Sequence, residues 1–314
     1  MSARVSRREI LKGAAAVAAS LAIPSLLSDC DFSRGAARIV EGDPHPDRDR
    51  LRTWTGWIRA EALADPALST GRAAARVGEF ALGSPYEAFA LEGYIKAGGD
   101  PSKKEPLTLS LRKFDCVSLV ESALAVARTG DDPTPATWDH FAREMERMRY
   151  RDGVRGNYTT RLHYFSEWIA DGARRGLLRD LGPELGAVQD ARPLRFMTEH
   201  RASYPALVND EVFAGIGEME RRLDASPRWM IPAAMIPEVS PRIESGDVLA
   251  FATTIPGLDV THSAFAYRDS AGILRVLHAP LSGGVVEITA HTLPEYVGAI
   301  RRATGILVAR PLRG

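Results

Sequence analysis

Cys116 opens an apolar run, "FDCVSLVESALAVA", and that position invites chemistry. Asp115 before it is a helix N-cap, and Val117, Val120, Leu124 and Ala127 then recur on one face, with Gly130 as a stop. A thiol in the first helical turn meets unsatisfied backbone N–H groups and the positive end of the helix dipole, a setting that favours thiolate. An inert buried cysteine would sit more naturally on the apolar stripe in mid-helix. The position therefore reads as a nucleophile. The only other cysteine is Cys30, so Cys116 is a lone thiol if Cys30 belongs to a leader.

A thiol nucleophile needs a base and something to orient that base. The histidines are His45, His140, His163, His200, His262, His278 and His291. His140 lies between polar residues and reads as solvated. His262 and His278 fall in strand-like runs, "VTHSAFAYR" and "ILRVLHA". A hairpin centred on Ser270 places them directly opposite on one face, with Cβ atoms about 5 Å apart. Ala264 and Ala266 share that face by alternation and leave room for the Cys116 helix. The alternative is two histidines in register by chance.

The elements that must position these groups follow from periodicity. Helical spacing dominates from residue 51 to about 225, with clear faces in "TPATWDHFAREMERMRY", in "TRLHYFSEWIADGARRG" and in "NDEVFAGIGEMERRLDA", the last capped by Asn209 or Asp210. Short apolar runs with turn signals follow from about residue 246, with one short helix near 292–298. Helices first and antiparallel strands afterwards predict an α+β domain over 51–314, with a helical insertion at about 131–240. Residues 38–50 are polar and read as a linker.

The first 37 residues read as an export signal. Arg7 and Arg8 precede about 14 apolar and small residues, too few to span a bilayer. The pair, with Leu11 and Lys12, resembles a twin-arginine leader. "LLSDC" resembles the acylation site of lipoproteins, with Asp29 where a small residue is wanted, so a lipid on Cys30 is the second option. The formal net charge of zero over 314 residues argues against nucleic acid as a partner.

The ordered set "GSPYEAF…FDCVSLVE…SGDVLAF…THSAFAY…LHA" resembles the NlpC-type, papain-like cell-wall cysteine peptidases and amidases. The resemblance implies a papain-like fold, Cys116 as nucleophile, His262 as general base, His278 as the residue orienting it, and Tyr86 near the thiol, holding substrate or oxyanion. Val117 departs from the family's small hydroxyl residue, with Ser118 one place later. "RYRDGVRGNYTTRLHYFSEWI" and "FMTEHRASYPAL" resemble the N-acetylmuramoyl-L-alanine amidase-like branch. This implies cleavage of muropeptides at the sugar–peptide junction, at muramoyl or anhydromuramoyl ends, without a cofactor or metal. Arg161, His163 and Tyr164, beside the apolar stripe of their expected helix, either bind the peptide carboxylate and sugar or form a solvated face. Other readings are a D-glutamyl–diaminopimelate endopeptidase, a metal amidase (though no His-Glu-x-x-His or Cys-x-x-Cys occurs), and a non-catalytic peptidoglycan-binding lipoprotein.

Overall fold

A computed structural model describes residues 45–313. The expected export signal of residues 1–37, with Cys30, and residues 38–44 of the expected linker lie outside them. Helix α1 spans His45–Ala64, so residues 45–50 are helix and not linker. The polar side chains there have partners: the Asp47 carboxylate accepts the Leu111 N–H at 2.8 Å, and Arg50 donates to the Leu111 carbonyl at 2.8 Å. Helix α2 is Thr70–Phe80, α3 Cys116–Asp131, α4 Trp138–Arg149, α5 Phe165–Arg174, α6 Asp210–Asp224 and α7 Leu293–Ala299. Their starts follow the capping side chains: Ser69, Asp115, Thr137, Asn209 and Thr292 each accept from a first-turn N–H.

Eight strands form one sheet with antiparallel pairings: β1 Leu178–Asp180, β2 Val188–Gln189, β3 Trp229–Pro232, β4 Val248–Thr253, β5 Val260–Arg268, β6 Leu274–His278, β7 Glu287–Ile288 and β8 Ala303–Pro311. The order is β2-β3-β8-β4-β5-β6-β7, with β1 also on β8. The α+β class holds. The segment 131–240 is not wholly helical, because β1, β2 and β3 arise inside it and join the sheet. Strands of two to four residues are too short for alternation to register.

Each face of the sheet has its own core. On one, Val248, Ala250, Val260, Phe265 and Leu277 pack under α1, α2 and α3. On the other, Leu249, Phe251, Ala264, Ala266 and Val276 pack under α7 and the turns at 233–243. A third cluster, built on Tyr158, Tyr164, Phe196, Leu207 and Ile216, holds the 158–223 segment together.

Two glycines act through what they lack. Gly130 does not stop α3, which runs on to Asp131; a Cβ at Gly130 would stand 3.1 Å from Ile58 Cγ2, so the glycine lets α1 close on α3. Gly246 has φ +88°, and its Cβ would fall 1.8 Å from the Gly71 carbonyl oxygen. Asp247, next to it, accepts from Arg310 Nε and Nη2 at 2.8 Å each, anchoring the start of β4 to β8. The Gly-Asp element is therefore where α2 meets the sheet.

Gly246→Ala should cost about 2–4 kcal/mol in denaturant unfolding, combining a left-handed backbone with a backbone clash. Gly272 has φ +77° with open space around it, so Gly272→Ala should cost only about 1 kcal/mol. Equal losses would show that the contact with α2 contributes nothing.

Candidate active site

Cys116 sits where α3 begins, and the local sequence dictates that start. The Asp115 carboxylate accepts the Ser118 N–H at 2.7 Å, and the Ser118 hydroxyl accepts the Asp115 N–H at 2.8 Å. This capping box gives Ser118 a structural task at the helix end. A belt of backbone bonds then ties this end to the loop after β6. Gly83 and Val286, Ser84 and Val286, and Tyr86 and Gly284 pair through N–H to carbonyl bonds of 2.8–2.9 Å. Phe114 N–H donates to the Pro85 carbonyl, and Glu87 N–H to the Phe114 carbonyl. Tyr86 is thus held between Phe114 and the 280–286 loop. Its phenol is raised above its ordinary range by burial first, then by its neighbours Cys116 and Asp115.

The histidines come together, but not in the expected register. Phe265 pairs with Leu277 and Arg268 with Leu274, which centres the hairpin on Ala271 and sets His278 across from Ala264. A partner shift of two residues keeps both histidines on one face. His262 Nε2 and His278 Nδ1 lie 2.8 Å apart, with rings crossed at 75°. His262 also occupies a β-bulge: Ala250 pairs with Ser263 and Ala252 with Val260, so Thr261 and His262 together oppose Phe251. The bulge breaks alternation. Val260 and Phe265 face the core of α3, whereas Ala264 and Ala266 face the other core. The helix therefore approaches β5 through Val260, Ser263 and Phe265, not over the two alanines.

Electrostatics reverses one expectation. Burial pushes the Cys116 thiol up to about 12, the Asp115 charge adds to the rise, and polar groups of Ser263 and Val117 oppose it. The helix end does not yield a resting thiolate, because full burial is worth several pK units while a helix terminus supplies only about 1–2 kcal/mol. Burial also holds His262 well below its ordinary value, with His278 adding to the fall, and it lowers His278 to about 4. Both shifts favour the uncharged forms, thiol and neutral imidazole, over an ion pair.

Arg161, His163 and Tyr164 lie ahead of α5, which starts at Phe165, so they are not on the helix as expected. Arg161 is buried, bonded to Glu92 at 2.5 Å and set over the Tyr158 ring. His163 Nε2 donates to the Tyr158 carbonyl at 2.8 Å, and the Tyr164 hydroxyl donates to Glu220 at 2.7 Å. The His163 and Tyr164 contacts are internal to the 158–223 segment, whereas Arg161 ties that segment to Glu92 and Glu105. His140 is largely covered rather than solvated, with its side chain 11% exposed and Nε2 3.8 Å from Asp132. Three residues beside the histidines and thiol carry no spacing signal: Ser263 at the sulfur, Tyr296 from α7, and Glu287 on a two-residue strand. Among the described residues no three of His, Cys, Asp and Glu are grouped as metal ligands.

The comparisons agree with this architecture. An N-acetylmuramoyl-L-alanine amidase of Bacteroides uniformis is 31% identical, with TM-score 0.70 over 77% of this chain and 98% of its own. A Bacteroides fragilis protein named as a candidate xylanase is 33% identical, with TM-score 0.65 over 74% and 99%. A Legionella pneumophila protein at 19% identity and TM-score 0.57, over 85% and 97%, shares the fold. No curated protein matches the chain. Residues 76–306 match the AmiA-like, N-acetylmuramoyl-L-alanine amidase-like family, a span that takes in Tyr86, Cys116, His262 and His278, and the chain belongs to that family.

Proposed function

We propose that the chain is a cysteine amidase that hydrolyses the amide between N-acetylmuramic acid, or its anhydro form, and L-alanine in peptidoglycan fragments. One observation carries the reading: a thiol at a capped helix N-terminus abuts β5, the strand that bears His262, whose imidazole is hydrogen-bonded to His278 on the neighbouring strand. The name of the Bacteroides uniformis neighbour supplies the bond. A nucleophile helix packed on an antiparallel sheet that carries the base is the papain-like plan, and we assign the fold to it. The Arg7-Arg8 leader supports export, so we place the reaction in the periplasm or cell envelope.

Both partners start neutral, so the proton must move as the carbon–sulfur bond forms. His278 holds His262 Nε2, which leaves Nδ1 to take the thiol proton. Sulfur adds to the muramoyl carbonyl, and the carbonyl electron pair moves onto oxygen beside the Tyr86 phenol. Collapse breaks the carbon–nitrogen bond, and His262 gives its proton to the departing L-alanyl nitrogen. The stem peptide leaves, with the muramoyl group held on Cys116 as a thioester. Water then adds, losing one proton to His262; the adduct collapses, breaking the carbon–sulfur bond, that proton returns to sulfur, and the muramic acid carboxyl leaves and gives its remaining proton to solvent.

Mass spectrometry of defined muropeptides should find free stem peptide with L-alanine at its N-terminus. Cys116→Ala should abolish the product, Cys116→Ser should leave very little, and chelator should change nothing. An L-Ala-D-Glu stub left on the sugar would support the endopeptidase reading. Activity kept in Cys116→Ala and lost to chelator would replace the thiol with a metal.

The two histidines should differ in cost. His262→Ala should approach the loss of Cys116→Ala, while His278→Ala should cost about tenfold to a thousandfold in kcat, with partial recovery in His278→Gln. Recovery by Gln at His262 but not at His278 would exchange their roles.

The pH profile separates a neutral pair from a preformed ion pair. With the imidazole held below 6.5, kcat/KM should stay level from neutral pH downward and fall only as His262 finally takes a proton. A thiolate–imidazolium pair would instead lose activity on the alkaline side as imidazolium gives up its proton, and a descending limb there would refute the neutral pair.

A further inference from the structure

His262 and His278 share one hydrogen bond, and such a bond holds one proton between two nitrogens. If His262 donates from Nε2, its Nδ1 is the basic nitrogen. If His278 donates from Nδ1, the His262 proton sits on Nδ1 and no base faces the thiol. Something must choose. Two groups border His278 besides His262. The Tyr296 hydroxyl lies 3.3 Å from His278 Nδ1, and Glu287 Oε1 lies 3.5 Å from His278 Nε2. Nε2 is buried and has no hydrogen-bond partner in this geometry. Glu287 pairs with His278 across the β6–β7 ladder, so the sheet itself places this carboxylate beside the ring.

We propose that Glu287 is a positioning residue for the reaction, which keeps the His278 proton on Nε2 and so obliges His262 to present Nδ1 as base. The proposal rests on the amidase reading for its kinetic part only. A carboxylate 3.5 Å from a ring nitrogen attracts an N–H and repels a lone pair. With Nε2 protonated, His278 Nδ1 is bare and accepts from both the Tyr296 hydroxyl and His262 Nε2–H. The opposite tautomer would point a lone pair at Glu287, while the Tyr296 hydroxyl can donate to Nδ1 or accept from Nδ1–H and so does not choose. Glu287 is the neighbour that distinguishes the two arrangements. When His262 takes the thiol proton, its positive charge is met by His278 and, through it, by Glu287. The titratable groups around the pair are then Cys116 on α3, Glu287 on β7 and Tyr296 on α7, whose phenol is raised by burial and by Cys116 and Glu287.

The Glu287 side chain is 45% exposed, so its replacement leaves the core intact. The primary test is a long-range proton–nitrogen spectrum of full-length protein with ring-labelled histidine, without substrate. Wild type should show His278 protonated on Nε2 and His262 also protonated on Nε2. Glu287→Ala should give a mixture of tautomers at His278, and Glu287→Gln, whose amide oxygen still accepts, should retain the wild-type pattern. In turnover, Glu287→Ala should lower kcat about tenfold to a hundredfold with KM little changed, and Gln should recover part of the loss. Both variants should shift the acidic limb of the profile to lower pH, since imidazolium loses a nearby charge. Unchanged tautomers and an unchanged acidic limb in Glu287→Ala would overturn the proposal, as would a Glu287→Gln variant no better than Ala. Because the spectrum needs no substrate, failure of the amidase reading leaves this test standing.

Discussion

Thirteen of the sixteen residues of α3 are buried, and a helix wrapped by α1, α2, α4 and β5 cannot leave its ends or its polar side chains to water. Each demand is met by a specific partner. The Asp115–Ser118 box closes the N-terminus. Arg59 of α1 reaches the far end and donates to the carbonyls of Gly130, Asp132 and Thr134. Within the helix, Glu121 and Arg149 form a buried pair at 2.7 Å, and Arg128 donates to the Leu177 carbonyl at 2.6 Å. Buried pairs of this kind add little net stability over a well-packed apolar alternative, yet removing one partner is costly. They therefore hold α3 in one rotation and one height. The position of Cys116 follows from that, as does the need for Gly130 where α1 closes on α3, while Gly71 and Gly78 let α2 approach the sheet.

The same burial decides the electrical state of the site. A dry thiol between a helix end and a sheet is a poor acid, and a dry imidazole is a poor base. An ion pair waiting in the resting protein is then unfavourable, and in the proposed mechanism the charge is created only when a carbonyl is there to receive the sulfur. That mechanism favours two linked imidazoles over a single one as the base. A lone buried histidine that takes a proton has nothing to share the charge with, whereas His262 hands part of it through 2.8 Å to His278. The belt through residues 83–87 and 284–286 keeps the two halves of this arrangement in step, because it joins the loop before Cys116 to the loop after His278.

The candidate site residues were legible because their types are few and their positions unusual. A cysteine after an N-cap aspartate, and two histidines in strand-like runs, stand out against their neighbours, and long periodic helices such as α4 and α6 stand where their apolar faces predict. What escaped depends on tertiary partners. Residues 45–50 are polar and helical because Asp47 and Arg50 bind the backbone at Leu111. Strands β1 to β3 are too short to carry a pattern and exist because β8 and β3 offer an edge. Glu287 and Tyr296 carry no signal at all, since nothing local says that a two-residue strand and a short helix will close around His278.

The histidine pair shows why the inference survived a register that was off by one at the turn. Moving the hairpin centre by one residue moves every partner by two, and a shift of two preserves the face. It also improves the geometry. Directly opposed residues hold their Cβ atoms about 5 Å apart, which brings two imidazoles side by side, whereas diagonal neighbours stand about 7 Å apart and can meet nitrogen to nitrogen. The crossed rings, with centroids 5.0 Å apart, are of the second kind. The bulge completes the adjustment by placing an extra residue opposite Phe251, so that the His262 ring lies parallel to the phenyl ring at 5.8 Å while Ser263 faces the thiol. Side-chain parity can be counted along a sequence. The bulge that turns His262 to His278 and its neighbour Ser263 to the sulfur arises only when β4 and β5 are paired.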